Sequence, residues 1–335
     1  MHDNLSLNKK KNIMNHYSFF GKILHDIILG NKFVSASLFE IEKIIFLKKK
    51  LINNNKHIFI TSLPRSGTTI ILNLIYSSNH FSSLKYSNMP FLLAPNLSKF
   101  FNKKKIETRE RLHGDKITFN LDSPEAFDEY YFSKFIDHKK DNENKDLIDY
   151  INLILISQNK SRYLSKNNSN YKRINLIKSI FPNSYFLILV RDPLQHAFSI
   201  YRQHKNFTEL QKKDDFVRRY MNYLGHNEFG INHKYWNPPI NYDDESDLNY
   251  WIEQWNLFYK KIYKDYKNDQ NCIFLSYEKL SDKIYISKIL NKLEVTGANL
   301  DILKNIETRK IDLNYDQKIL NESNQIYESL TSIAF

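Results

Sequence analysis

Six consecutive residues, Pro64-Arg65-Ser66-Gly67-Thr68-Thr69, combine side chains suited to holding an anion. Gly67 lets the backbone come close to a ligand, and Ser66, Thr68 and Thr69 add hydroxyl donors. Arg65 adds a guanidinium fork that matches sulfate or phosphate oxygens. The run before them, His57–Ser62, has strand character, and the run after them, TTIILNLIYSS, has helical spacing. The six residues therefore fall at a strand-to-helix turn, where unsatisfied amides and the helix dipole favour negative charge. A nucleotide-hydrolysing loop requires G-x-x-x-x-G-K-[ST], whereas this loop has one glycine and no lysine after it, which argues against ATP or GTP hydrolysis. The bland alternative is a capped turn whose Ser and Thr residues only satisfy the helix end.

A second constellation lies in LVRDPLQHAFSIYRQH, with Arg191 at the end of an apolar run and Ser199 eight residues later. The run Tyr185–Val190, YFLILV, is apolar throughout, as expected of a strand buried on both faces of a parallel sheet. Asp192 is placed to cap the next helix and Pro193 to begin it. A third apolar run, Cys272–Leu275, precedes Ser276-Tyr277-Glu278-Lys279-Leu280. Strands alternating with helices predict an α/β fold with a doubly wound parallel sheet. Helices are expected over Asp146–Lys160, Asn170–Ile180 and Pro124–Phe135, and residues 225–246 read as irregular. No linker divides the chain, so we expect an N-terminal helical flank over 1–55 and one α/β domain over 56–335. The flank carries Phe33, Leu38, Ile41, Ile44 and Ile45 at helical spacing before Lys48-Lys49-Lys50.

With these two motifs in order, the chain resembles the sulfotransferase family. PRSGTT looks like its 5′-phosphosulfate loop, in the arginine-containing form of many bacterial members and of tyrosylprotein sulfotransferases. Arg191 and Ser199 match its 3′-phosphate motif. SRYLSKNNSNYKRINLIKSIFPNSYFLILVRDP and FLSYEKL also resemble family segments, so the likeness covers about residues 57–80, 162–207 and 271–282. The resemblance implies a P-loop-like doubly wound sheet flanked by helices with helical insertions, 3′-phosphoadenosine-5′-phosphosulfate (PAPS) as donor, PAP as product, and no metal. It implies that Arg65, Ser66, Gly67, Thr68, Thr69, Arg191 and Ser199 bind the donor, and that Lys166 lies near the bridging oxygen. Two anionic groups on one ligand explain why two separate donor sets are present.

A hydroxyl acceptor needs a general base. Many relatives supply a glutamate soon after the first helix, but Leu84–Asn96 contains no acid. The candidates are Glu125 and His113 first, then Asp115, Asp122 and Glu129, with His226 and His233 in reserve. Glutamate in a first helical turn commonly complements the dipole instead, and a lone histidine is commonly structural. The aromatics around Arg218, His226 and His233 suit either a sugar-stacking acceptor wall or core packing, so the acceptor is open, with carbohydrate one candidate.

Composition narrows the field less. With 41% hydrophobic residues among 335, the chain can bury a large core. No apolar run is long enough for a membrane helix and no signal-peptide pattern is present, so a cytoplasmic location is the default expectation. A single cysteine, Cys272, excludes an internal disulfide framework. The net charge of +12 favours anionic partners, although lysine-rich base composition produces the same excess. Two rival functions remain: a nucleotide phosphotransferase on the same sheet, or a non-catalytic basic protein binding nucleic acid.

Overall fold

The computed structural model describes residues 18–47, 56–101, 108–110, 118–136, 144–303, 306 and 308–335. The chain opens with two helices, α1 (Phe19–Gly30) and α2 (Lys32–Phe46), divided at Asn31, whose side chain accepts the amides of Phe33 and Val34. Both helices fall within the stretch 1–55 read as a flank, whose boundary after residue 55 and Lys48–Lys50 run lie beside or outside the described residues. Strand β1 (Ile58–Thr61) leads into α3 (Thr68–Ser77), followed by the short β2 (Phe81–Ser82) and α4 (Ser98–Phe101). A two-stranded ribbon, β3 (Arg109–Glu110) and β4 (Thr118–Phe119), comes next.

The helix expected over Pro124–Phe135 begins later. Pro124 bridges to Lys85 in extended form, and only α5 (Glu129–Tyr131) is helical before a π turn at Phe132–Ile136. Tertiary partners override the local pattern here: the Glu125 amide donates to the Leu84 carbonyl, and the Asp128 and Glu129 side chains are drawn into a buried network. The chain continues through α6 (Asn144–Gln158), β5 (Arg162–Lys166), α7 (Ile174–Ile180), β6 (Tyr185–Val190) and α8 (Pro193–Lys213). A 3-10 turn at Asn168–Lys172 takes the first part of the helix expected from Asn170. Asp192 caps α8 by accepting from the Gln195 amide, with Pro193 first in the helix as predicted. After α9 (Asp215–Tyr223), residues 224–247 form no helix or strand; α10 (Leu248–Tyr266), β7 (Cys272–Ser276), α11 (Lys283–Lys292) and α12 (Gln317–Ser332) complete the chain.

The main sheet has the order β2-β5-β1-β6-β7 and every pairing in it is parallel. Alternation along the strands feeds two cores. Ile58, Ile60, Leu187 and Leu189 pack with Leu72 and Ile75 of α3 and Ile286 and Ile289 of α11. Phe59, Phe186, Ile188 and Val190 pack on the other face with Ile154, Ile177, Ile200, Trp251 and Trp255. Helices on both faces and a β6 buried from Phe186 to Val190 are the doubly wound α/β arrangement expected from the sequence. Cys272 is buried and its thiol is pushed up to about 12 by burial, consistent with a packing role.

Candidate active site

Parallel strands end together, so the segments leaving β1, β5, β6 and β7 converge along one edge of the sheet, where ligands bind in open α/β folds. The loop after β1 turns through two left-handed residues, Arg65 at φ 74° and Gly67 at φ 92°. A Cβ on Gly67 would stand 2.8 Å from both the Leu280 and Tyr277 side chains, so the backbone passes too close to its neighbours for any side chain. Helix α3 starts on Gly67 without a side-chain cap, and the amides of Ser66, Gly67 and Thr68 hydrogen-bond to no described residue. Gly67 has no side chain with which to cap the helix, so the first turn of α3 is left with backbone amides facing the sheet edge. The Ser66 hydroxyl, expected to face a ligand, instead donates to the Leu63 carbonyl at 2.8 Å and is fully buried, so it closes the turn. Thr68 is buried and Thr69 half-buried. His196 of α8 holds the loop from below: its Nε2 donates to the Pro64 carbonyl at 2.8 Å, and burial drops its pKa to about 3, which keeps the ring neutral.

The second motif folds onto the first. Arg191 Nη1 donates to the Arg65 carbonyl at 2.8 Å, and its guanidinium lies 4.3 Å from the centre of the Tyr277 ring. Arg65 Nε donates to Ser199 Oγ at 3.4 Å. Burial lowers the pKa of Arg191; Tyr277 works against this, and Arg65 and Arg309 push it further down. Burial and the charges of Arg309 and Arg65 likewise lower Arg202. Arg65 and Arg309 therefore lie close enough to Arg191 and Arg202 to disfavour the charges of both, while Glu278 supports that of Arg191. The Nε of Arg191 is buried with no partner among the described residues, and a cavity of about 400 Å³ opens beside it, lined by Gln195, Tyr277, Thr308, Asn324 and Tyr327 among others. Two separated donor sets, an orphaned buried N–H and unpaired loop amides fit a ligand with two anionic groups.

Lys166 ends β5, in register with Ile60 of β1, and is buried. Its Nζ lies 3.7 Å from Glu125 Oε1, while Tyr86 OH donates to Glu125 Oε2 at 3.2 Å. Glu125 precedes α5 and stands outside any helix, so it does not serve as a helix-dipole complement. His226 joins this group: Nε2 lies 3.2 Å from the Ala126 carbonyl and Nδ1 lies 3.6 Å from Glu228 Oε2. Burial opposes a charge on His226, but the Glu228 carboxylate outweighs it and raises the imidazole pKa; burial likewise opposes the charge on Glu228, and His226 with Lys166 holds that carboxyl down to about 2. Glu228 also accepts from Asn168 Nδ2 at 3.2 Å. With both ring nitrogens engaged, His226 positions the segment that carries Glu125 and has no free nitrogen to accept a substrate proton.

The other base candidates separate cleanly. Glu129 is gripped by Arg173 through two hydrogen bonds of 2.7 and 2.9 Å and by Asn167 at 2.8 Å, all buried, so it serves the fold. Asp122 is exposed and pairs with Lys85 at 2.8 Å. His113 and Asp115 lie outside the described residues. His233 packs among Trp251, Trp236 and Tyr250 and bonds the Tyr250 hydroxyl at 2.7 Å, with burial lowering its pKa to about 4; Arg218 forms an exposed ion pair with Asp215. Sequence reasoning missed Glu228, Arg202 and Arg309. The one available signal was that Arg202 stands three residues after Ser199, on the same helical face.

The fold is thus an open, all-parallel α/β sheet flanked by helices, with arginines gathered at the edge where its strands end. The chain belongs to the sulfotransferase family, whose model matches residues 57–235. Similar solved structures include the sulfotransferase STF1 from Mycobacterium tuberculosis, 10% identical with a TM-score of 0.46, over 88% of this chain and 77% of that one. Sulfotransferase STF9 from Mycobacterium avium is 12% identical with a TM-score of 0.42, over 90% and 74%. A sulfotransferase from Alicyclobacillus acidocaldarius is 12% identical with a TM-score of 0.36, over 83% and 94%. No curated protein sequence matches the chain. Among the described residues, no cluster of His, Cys, Asp and Glu suits a metal ion, and no helix is long and apolar enough to cross a membrane.

Proposed function

We propose that this protein transfers a sulfuryl group from PAPS to a hydroxyl or amine, releasing PAP, within a transfer domain spanning 56–335. The observation that carries this reading is the meeting of Arg65 with Arg191 and Ser199, more than a hundred residues away in sequence, at one edge of the sheet. When bound, PAPS supplies the sulfuryl group, and transfer requires in-line placement and neutralised charge on the sulfur and bridging oxygens. Arg65 and the amides of Ser66, Gly67 and Thr68 hold the phosphosulfate end. Arg191 and Ser199, supported by Arg202 and Arg309, hold the 3′-phosphate. Lys166 supplies positive charge beside the departing oxygen, and Glu125, 3.7 Å from it, takes the proton from the acceptor. His226 fixes the Ala126 carbonyl and thereby the backbone on which Glu125 stands.

Incubation with PAPS and a panel of acceptors, carbohydrates first, tests this directly. PAP release with matching sulfation of one acceptor class, independent of added metal, is the expected result. Phosphorylation of acceptors from MgATP, with none sulfated from PAPS, would move the chain to the phosphotransferases.

A further inference from the structure

Gln195 stands in the first turn of α8, and its side chain reaches the backbone of a residue far along the chain. Its Nε2 donates to the Arg309 carbonyl at 2.9 Å, and its Oε1 accepts from the Arg309 amide at 3.0 Å. A primary amide carries a donor and an acceptor side by side, so it can satisfy both backbone groups of one residue as a neighbouring strand would. Residues 308–316 form no helix or strand to do this themselves. Farther along, the same segment is fastened to α10, where Asn249 Oδ1 accepts from the Asp316 amide at 2.7 Å.

The glutamine is itself anchored. Its own amide donates to Asp192 Oδ1 at 2.8 Å, and the Asp192 amide donates to Glu278 Oε1 at 2.8 Å, which ties this turn of α8 to the ends of β6 and β7. Gln195, Ser199 and Arg202 follow one another at i, i+4 and i+7, so they share one face of α8. Ser199 is the residue that Arg65 reaches from the loop after β1. Gln195 and Thr308 also line the cavity beside Arg191. Burial lowers the pKa of Arg202 and the Arg309 charge lowers it further; at Arg191 Arg309 likewise adds to the effect of burial. Like charges repel, so a segment without secondary structure would draw Arg309 away from this edge unless its backbone were held.

Given PAPS as the donor, we propose that Gln195 is a positioning residue for donor binding, an inference that rests on that reading. It fastens the backbone of Arg309 to the face of α8 that carries Ser199 and Arg202, so that the Arg309 guanidinium is in place before the 3′-phosphate arrives. Repulsion among the arginines is met in the empty site, and the phosphate charge then relieves it. Gln195 acts through Arg309 and not on the phosphate.

Calorimetric titration of the full chain with PAP and with adenosine 5′-phosphosulfate, which lacks the 3′-phosphate, tests the proposal on Gln195→Met, Arg309→Ala and the double variant. Methionine keeps the length of the side chain and removes both hydrogen bonds. Gln195→Met should weaken PAP on the order of fivefold, leave adenosine 5′-phosphosulfate nearly unchanged, and add nothing once Arg309 is already replaced. Hydrogen exchange at the Arg309 amide should also be faster in Gln195→Met before any ligand is added, with the melting temperature nearly unchanged. Unchanged PAP affinity, an equal loss for both ligands, full additivity of the two substitutions, or unchanged exchange at the Arg309 amide overturns the proposal. If Arg309→Ala weakens PAP while Gln195→Met does not, the donor reading stands and the role of Gln195 falls. No binding of PAP by the unaltered chain rejects the donor reading and this inference with it.

Discussion

Arg65 Nε donates to Ser199 Oγ at 3.4 Å, joining the loop after β1 to helix α8 across 134 positions of sequence. On the proposed reading the two motifs serve one donor, so damage to either should reach donor binding. Arg191→Ala and Ser199→Ala should each weaken PAP binding by about 1.5–3 kcal/mol, with the larger loss for Arg191, whose charge and buried Nε both go. Titration calorimetry with PAP and with adenosine 5′-phosphosulfate separates the roles. If the ligand lacking the 3′-phosphate lost affinity as much as PAP did, these residues would not serve that phosphate.

Gly67→Ala should cost about 1–2 kcal/mol of stability and weaken PAP binding together. A methyl group there meets Leu280 and Tyr277 at 2.8 Å on a backbone with φ 92°, so both the loop and its neighbours must shift. Thermal melting with and without PAP reads both effects. An unchanged melting temperature contradicts the close approach on which the cradle depends.

Glu125 and Glu129 lie four residues apart and should behave oppositely. Glu125→Gln should lower kcat by about 10²–10⁴ with PAP affinity nearly unchanged, because it removes the proton acceptor; it also leaves the buried Lys166 without its carboxylate, so melting is read alongside turnover. Glu129→Gln should destabilise the protein by about 3–5 kcal/mol, because Arg173 is left as a buried charge without its counterion. Near-normal turnover by the Glu125 variant would make its contact with Lys166 purely structural.

The His226–Glu228 pair should give stability a definite pH window. Glu228 is held below the ordinary carboxylate value of 4.5, to about 2, so its contribution is present above 4.5 and fades as pH falls toward 2. His226 is raised above 6.5, so its contribution is complete below 6.5 and is lost as pH rises through the higher folded value. Melting of His226→Gln against the unaltered protein should therefore differ most at about pH 5–6, by about 1–3 kcal/mol, and least in alkaline solution. A difference that grew with rising pH would contradict the pairing.

Much of the fold could be read from local pattern. YFLILV announced a strand buried on both faces, and Asp192-Pro193 announced the start of α8, because those signals are carried by consecutive residues. The strand, turn and helix around loop 64–69 were legible for the same reason, while the Ser66 hydroxyl, expected to face a ligand, turns inward to Leu63. Strand β5 was not identified as a strand, since RYLSK lacks a continuous apolar run and is held by neighbours on both sides. The expected helix from Pro124 failed for a related reason: Asp128 and Glu129 are recruited by Ser165, Asn167 and Arg173. Glu228 and Arg309 were invisible as site residues because only the folded chain brings an irregular loop and a distant C-terminal segment to the sheet edge.

The central claim is that this edge holds a nucleotide bearing two anionic groups through protein donors alone. Melting of the purified protein with PAP in the presence of a chelator measures it most directly. At 100 times its Kd, PAP should add about 2.7 kcal/mol of stability with no metal present. No shift with PAP, together with a shift with MgATP, would contradict the account.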